Sequence, residues 1–124
     1  EELMRIETLK LNYEFSRVYK RGKFAVGKTI TMHAFKRYNG LKHNMTLIPA
    51  DIIRLGFCAN KKSLGAVGRN KAKRLMREAY RKIASEIKPG YDIVITLRAC
   101  EEIPKYSDIE HDVRALANKL DLLT

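Results

Sequence analysis

The chain has 124 residues, which suits one domain with a useful hydrophobic core. Its 25 Lys and Arg outnumber 14 Asp and Glu, so the formal net charge is +11. This excess indicates a polyanionic partner, either nucleic acid or an anionic membrane surface. Apolar residues make up 45% and charged residues 31%, a composition that excludes general disorder. No apolar run approaches the roughly 18 residues of a membrane span, and the N-terminal residues do not resemble a signal segment.

The N-terminal half predicts one helix and two strands. Asn12 can cap a helix that runs to about Lys20, and Phe15 and Tyr19 share one face of it because they are four residues apart. Lys28 to Phe35 reads as a strand on which Thr31, His33 and Phe35 face one way and Ile30, Met32 and Ala34 the other. The stretch from Tyr38 to Asn44 predicts a loop.

The next strand predicted is Ile52 to Asn60, where Cys58 faces away from the side of Leu55 and Phe57. A long helix follows from about Val67 to Ile87 and ends at Pro89-Gly90. Tyr91 to Leu97 is apolar on both faces, as in a covered central strand. A capping box at Ser107-Asp108-Ile109-Glu110 predicts the start of a last helix.

This order of elements predicts an α/β (α+β) fold in which one domain spans residues 1–124. A strand, helix and strand in succession suggest a βαβ unit in a mixed sheet. We expect the helices to cover one face, because they are too few for two full layers. Residues 1–3 precede Met4 and are expected to be a non-native addition. Cys58 and Cys100 form no C-x-x-C pair, so both are expected to be reduced in a cytoplasmic protein.

The basic charge is concentrated on the long helix and just before it. Nine basic residues and one acid lie between Lys61 and Lys82. At about 100° per residue, one arc of roughly 140° collects five cations and an amide, which we call the basic stripe: Arg69, Asn70, Lys73, Arg74, Arg77 and Arg81. A merely solvated face would mix charges of both signs. The stripe therefore predicts phosphate binding by arginine forks and lysine point charges.

The segments around this helix resemble the bacterial ribonuclease P protein component. The resemblance rests on Arg54-Leu-Gly-Phe-Cys-Ala-Asn-Lys-Lys62, Gly65-Ala-Val-Gly-Arg-Asn70, Lys73-Arg74 and Arg77-Glu78. It continues through Phe15, Tyr19 and Gly22, and through the stretch from Gly90 to Ile95. In all it covers roughly Ile6 to Leu122, most of the chain.

The resemblance implies an accessory subunit of an enzyme whose catalyst is RNA and which removes the 5′ leader of precursor tRNA. The expected partners are the catalytic RNA and precursor tRNA, with no DNA and no membrane. Mg²⁺ would be held mainly by the RNA. The implied fold is a mixed four-stranded sheet with three helices, similar to a ribosomal-protein fold. Its βαβ crossover would be left-handed, whereas about 98% of such crossovers are right-handed.

The resemblance also implies roles for individual residues. The basic helix motif would bind RNA through Lys61, Lys62, Arg69, Asn70, Lys73, Arg74 and Arg77. A cleft for the single-stranded leader would be lined by Phe15, Tyr19, Thr31, His33, Cys58, Lys73 and Arg77. Aromatic rings on one wall and cations on the other also suit a single strand on physical grounds.

Other functions find less support in the sequence. His33 and Cys58 have no evident third partner for nucleophilic catalysis, and the cysteines and histidines lack zinc-ligand spacing. A protein nuclease would need clustered carboxylates, but the acids between Phe15 and Arg98 are scattered. The main alternative is a structural RNA-binding protein, such as a ribosomal or assembly factor, with no link to cleavage.

Overall fold

The protein is described here by a computed structural model that covers residues 6–38, 40–43, 45–60 and 64–124. Lys61, Lys62 and residues 1–3, which the sequence analysis singled out, lie outside these ranges. The three helices are α1 (Asn12–Arg21), α2 (Ala66–Ile83) and α3 (Tyr106–Lys119). The strands are β1 (Ile6–Thr8), β2 (Lys23–Val26), β3 (Ile30–Lys36), β4 (Lys42–His43), β5 (Thr46–Leu47), β6 (Ile53–Cys58) and β7 (Tyr91–Leu97).

The main sheet is mixed and has the strand order β1-β6-β7-β3-β2. β6 runs parallel to both β1 and β7, and β3 runs antiparallel to both β7 and β2. The α+β class and the β6-α2-β7 unit are as predicted. The four-stranded sheet is wrong, because the sheet has five strands. Both edge strands are short, with three and four residues, which leaves little alternation to detect.

A second, two-stranded sheet pairs β4, which lies in the predicted loop from Tyr38 to Asn44, with β5, which follows that loop. Each of its strands has only two residues. Met45, between them, has a positive φ of 69°, a conformation that turns permit. Such a short hairpin carries too little alternation to be predicted as strand.

The main sheet is covered on both faces. α2 and α3 pack on one face, over Ile30, Met32, Ile93 and Ile95. α1 packs on the opposite face, against β3 and β7. The expectation that all helices cover one face is therefore wrong. β7 is buried on both faces, as its apolar sequence predicted, and that burial requires a cover on each side.

The ends of the helices differ from the prediction by a few residues. Leu11, not Asn12, is the residue before α1, and the Glu14 side chain accepts the backbone N–H groups of Lys10 and Leu11 at 3.2 and 3.1 Å. α2 ends at Ile83 and continues as a 3-10 turn to Glu86. α3 begins at Tyr106, before the predicted capping box, and has no side-chain cap.

Candidate nucleic-acid interface

α1 is fixed to the sheet by a small apolar cluster. Val18 of α1 is fully buried. It packs with Phe35 of β3 and Val94 of β7, together with Leu9 and Leu41. Phe15 is half-buried against the same cluster, while Tyr19 is 43% exposed. The two predicted cleft aromatics therefore sit at the border between this cluster and solvent.

Buried ion pairs strengthen the attachment of α1. Glu14 of α1 pairs with Arg54 of β6, and both side chains are almost completely buried. Asp92 of β7 is fully buried and accepts a hydrogen bond of 2.7 Å from Arg37 Nη1. Arg54 Nε and Arg17 Nη2 each lie 3.7 Å from an Asp92 carboxylate oxygen. Since Glu14 and Arg17 belong to α1, this charge network positions the helix that carries Phe15 and Tyr19.

Several predicted cleft residues lie where the C-terminal half of α1 meets the sheet, and we call this region the cleft. The Tyr19 hydroxyl is 3.8 Å from the Cys58 Sγ of β6. The Tyr19 ring meets the His33 imidazole edge to face, with centroids 4.8 Å apart and an interplanar angle of 86°. Tyr19, His33 and Cys58, predicted to line one cleft, are thus brought together across α1, β3 and β6.

The floor of this cleft is a row of four strand residues. The strand register aligns Val26, Thr31, Thr96 and Cys58 across β2, β3, β7 and β6. Thr31, Thr96 and Cys58 are partly exposed and Val26 is exposed. Thr31 therefore lies on the same floor as Cys58, two strands away from it. Thr96 was not among the predicted cleft residues.

Burial changes the titration of two cleft residues. Loss of hydration lowers the pKa of His33 below its ordinary value of 6.5. Loss of hydration also raises the pKa of Tyr19 above its ordinary value of 10.0, with the Cys58 thiol acting in the same direction. At neutral pH the cleft therefore presents an uncharged imidazole and an uncharged phenol, both suited to contact with a base.

Phe15 connects this cleft to a cavity of 430 Å³ at the edge of β6, beyond the end of β1. Its ring lies directly on the backbone of Gly56, the strand position that leaves room for it. The same cavity is lined by Lys73 and Arg77 of α2, and by the buried Tyr80. Phe15 and the two predicted edge cations therefore line one cavity, while Tyr19, Thr31, His33 and Cys58 line the adjoining floor.

The basic stripe on α2 faces solvent. Asn70, Arg74 and Arg77 are exposed, and Arg69 and Lys73 are half-exposed. Arg69 Nη1 donates to the Leu64 carbonyl oxygen at 2.9 Å, and the Arg77 guanidinium lies 5.5 Å from the centre of the Phe57 ring. Within the described ranges, none of the stripe cations makes an ion pair with a carboxylate. Their charges are available to an external anion.

The side of α2 opposite the basic stripe packs against the core. Ala72, Met76, Ala79 and Ile83 are buried, and Leu75 packs against the core. Tyr80 is also buried, although at about 100° per residue it falls inside the arc of the stripe, between Arg69 and Lys73. Burial raises the pKa of its phenol.

Phe24 of β2 lies beside the cleft and was missed by sequence reasoning. Its ring stacks on His33 with centroids 5.4 Å apart and an interplanar angle of 21°. Phe24 pairs directly with His33 across β2 and β3. The signal available was the alternation of Lys23, Phe24 and Ala25, but a four-residue edge strand was too short to be recognised.

The part of the chain that the structure describes contains no group of three or more His, Cys, Asp or Glu side chains arranged for a metal ion. Cys58 and Cys100 are unpaired thiols. No helix in the described ranges is both long and apolar enough to cross a membrane.

Comparison with known proteins identifies relatives along nearly the whole chain. A sequence model described as Ribonuclease P matches residues 3–121. The ribonuclease P protein component of Clostridium acetobutylicum is 35% identical over 120 residues, covering 97% of this chain and 93% of that protein. That of Clostridioides difficile is 33% identical over 119 residues, with 95% of each chain covered.

Solved structures of RNase P proteins have a similar fold. The RNase P protein from Thermotoga maritima has a TM-score of 0.70 at 28% identity, covering 94% of this chain and 99% of that chain. The RNase P protein from Staphylococcus aureus has a TM-score of 0.73 at 24% identity, covering 94% and 97%. From its sequence over residues 3–121 and from its fold, this chain is a member of the ribonuclease P protein family.

Proposed function

We propose that this chain binds the catalytic RNA of ribonuclease P through its basic stripe and holds the single-stranded 5′ leader of precursor tRNA in the cleft beside α1. The chain would act in the bacterial cytoplasm as an accessory subunit. The observation that carries the proposal is the junction at Phe15, Lys73 and Arg77. There an aromatic side chain of α1 meets the cationic side of α2 in one cavity.

The basic stripe is suited to a folded RNA. Its exposed arginines can each hold a phosphate with two parallel hydrogen bonds. Because no carboxylate in the described ranges neutralises them, the cations repel one another until a polyanion binds. Binding would release counterions and would therefore weaken as salt rises.

The cleft is suited to an unpaired strand. Each base has a flat face that can stack on Phe15 or Tyr19, at roughly 1–3 kcal/mol per base. Mature tRNA lacks the leader, so contacts in the cleft would favour precursor over mature tRNA. Lys73 and Arg77 at the border would lower the repulsion between the leader backbone and the catalytic RNA.

The chemistry of cleavage is assigned to the RNA. When bound there, Mg²⁺ would activate the attacking water and stabilise the leaving oxygen. The residues of this chain would bind and orient the leader. In the described ranges, the two residues weighed as a nucleophile and its base make other contacts: the Cys58 thiol faces the Tyr19 hydroxyl, and the His33 imidazole contacts the rings of Tyr19 and Phe24.

The test is cleavage of a 5′-leader precursor tRNA at low Mg²⁺ with the protein alone, a bacterial ribonuclease P RNA alone, and both together. We expect the protein to be inert alone and to stimulate the RNA. Cleavage by protein free of contaminating RNA would place an active site in this chain. Tight RNA binding without stimulation, repeated with a second RNA subtype, would favour a structural RNA-binding protein.

The leader cleft is tested by Tyr19→Ala in the reconstituted holoenzyme. The matched control is Tyr13→Ala, because Tyr13 lies on the other flank of α1 and is 48% exposed, close to the 43% of Tyr19. Tyr19→Ala should weaken precursor binding by about fivefold or more and leave mature tRNA binding unchanged. Equal weakening of both RNAs would contradict the assignment of the cleft.

A further inference from the structure

The sheet carries an exposed aromatic surface that continues the cleft toward its β2 edge. Phe24 is 63% exposed, Val26 next to it on the same face is 48% exposed, and Tyr19 is 43% exposed. Scattered apolar side chains are common on protein surfaces, but here Tyr19 and Phe24 both contact one imidazole, His33, and Val26 pairs with Thr31 on the same face of β3. These side chains therefore form one exposed aromatic patch.

The rings of this patch form a continuous series. The His33 imidazole contacts both the Tyr19 ring and the Phe24 ring. The ring centroids are 4.8 Å apart in the first pair and 5.4 Å apart in the second. Tyr19 belongs to α1, His33 to β3 and Phe24 to β2, so the series runs from the helix to the edge of the sheet. Because α1 packs against β3 and β7, it leaves the outer face of Phe24 open.

The charged residues near the patch indicate what kind of partner binds it. Lys20 and Arg21, which follow Tyr19 at the end of α1, are exposed, as is Lys28 in the turn after β2. Arg98 is exposed as well, and its Nη1 donates to the Gly27 carbonyl oxygen at 2.8 Å in that turn. The nearby carboxylate of Asp112 is buried and accepts hydrogen bonds from Thr29.

A partner for this patch must therefore carry flat apolar faces and negative charge. Single-stranded RNA has both, since its bases can stack on the rings while its phosphates approach the four cations. A second copy of this chain, with its large positive charge, would bring cations against cations. A single strand is also the ligand proposed for the adjoining cleft.

We propose that Phe24 is a base-stacking residue that extends the leader site to the β2 edge, so that Tyr19, His33 and Phe24 together contact a longer stretch of leader than the cleft alone. This inference rests on the proposed function, because it takes the RNA in the cleft to be the leader. The His33 imidazole contacts both rings and is uncharged at neutral pH. Phe24 thereby makes affinity depend on leader length.

The experiment measures the affinity of the reconstituted holoenzyme for precursor tRNAs whose leaders are lengthened one nucleotide at a time. Phe24→Ala should bind mature tRNA and the shortest leaders like wild type. It should bind longer leaders about fivefold more weakly, once the leader reaches the ring. Phe24→Trp should restore binding because it keeps a stacking face, whereas Phe24→Leu should not. The matched control is Tyr38→Ala, an aromatic residue that is 57% exposed and lies outside the cleft.

The outcomes separate this inference from the proposed function. If Tyr19→Ala weakens leader binding and Phe24→Ala does not at any length, the extension is wrong and the cleft stands. If neither variant changes leader binding, both assignments fail. Equal weakening for mature tRNA would place Phe24 against another part of the RNA and overturn its role. So would rescue by Phe24→Leu, or a dimer of the free protein that Phe24→Ala dissociates.

Discussion

Gly56→Ala tests whether the Phe15 ring really rests on the backbone of β6. A Cβ at this position would be 2.4 Å from Phe15 Cε1 and 2.8 Å from its Cζ. Two carbon atoms in favourable contact are about 3.5–4.0 Å apart, so the ring has to withdraw by roughly 1 Å. Phe15 is half-buried at the border of its cluster, which allows that movement without unfolding.

Two opposing terms set the effect on stability. Overpacking costs about 1–3 kcal/mol, and the lower end applies because the ring can move outward. Alanine in a strand gains about 0.5–1 kcal/mol over glycine, since it loses less chain entropy on folding. Gly56→Ala should therefore lower the free energy of unfolding by roughly 0.5 kcal/mol or slightly more. In a Phe15→Ala background the clash is gone, and Gly56→Ala should raise the free energy of unfolding by about 0.5–1 kcal/mol.

The assay is urea unfolding of the wild type, both single variants and the double variant. The double-mutant cycle should show a coupling of roughly 1–2 kcal/mol between positions 15 and 56. The same four proteins, assembled with the catalytic RNA, should also differ in leader binding. Gly56→Ala should reduce precursor affinity less than Phe15→Ala does, and it should add no further loss in the double variant.

If Gly56→Ala changed the free energy of unfolding by the same sign and size in the wild-type and Phe15→Ala backgrounds, the contact between Phe15 and Gly56 would be refuted. A loss of precursor affinity in the double variant well beyond that of Phe15→Ala would also contradict the reasoning, since no ring remains to be displaced. Unchanged affinity for mature tRNA is the internal control, because mature tRNA does not reach the leader cleft.

Four further changes test other parts of the structure. Arg74→Ala should lower the slope of log affinity for the catalytic RNA against log salt concentration by about 0.7–0.9. Lys71 is also exposed but lies outside the basic stripe, so Lys71→Ala should leave this slope unchanged. Gly68→Ala should raise the free energy of unfolding by up to about 1 kcal/mol, because a Cβ there meets atoms only at ordinary contact distance, 3.4 Å or more. Asp92→Asn should lower the free energy of unfolding by about 3–5 kcal/mol in urea unfolding, since the buried Arg37 guanidinium loses its carboxylate partner. Folding lowers the pKa of His33, so the unfolded chain takes up a proton first as pH falls through 6.5. The free energy of unfolding of the wild type should therefore fall faster in this range than that of His33→Gln. Parallel pH profiles of the two proteins would argue against this.

The parts of the fold that follow a simple period could be predicted from the sequence. Alternation on β3 correctly separates Ile30 and Met32, under α2 and α3, from Thr31 and His33 in the cleft. The 3.6-residue period of α2 correctly separates its basic stripe from its buried arc. Each prediction depends only on neighbours along one element, so no tertiary information was needed.

The position of α1 could not be predicted in the same way. Its stripe of Phe15, Val18 and Tyr19 indicates a buried side but not which face of the sheet it meets. The deciding contacts are charged: Glu14 with Arg54, and Arg17 with Asp92, at 40 and 75 residues of separation. Asp92 alone looks like a polar interruption of an apolar strand, and only the fold brings its arginine partners around it.

The candidate site was incomplete for a related reason. Phe24 lies on an edge strand of four residues, and its role depends on a cross-strand partner nine positions away, His33. The resemblance supplied Thr31 and Cys58, which share one row of the sheet, but not Val26 and Thr96 from the same row. Residues that become neighbours through strand pairing have no spacing in sequence by which they could be recognised.

The charged attachment of α1 also explains why the cleft stays open. Of its ten residues only Glu14 and Val18 are buried, and Glu14 lies near the N-terminal end. A helix held by apolar contacts alone would need a wider stripe, which would cover the sheet along its whole length. Because ion pairs fix one end, the other end can pass above β3 and β7 with Tyr19 partly in solvent. The buried charges of this protein thus leave an aromatic surface uncovered that apolar packing would have closed.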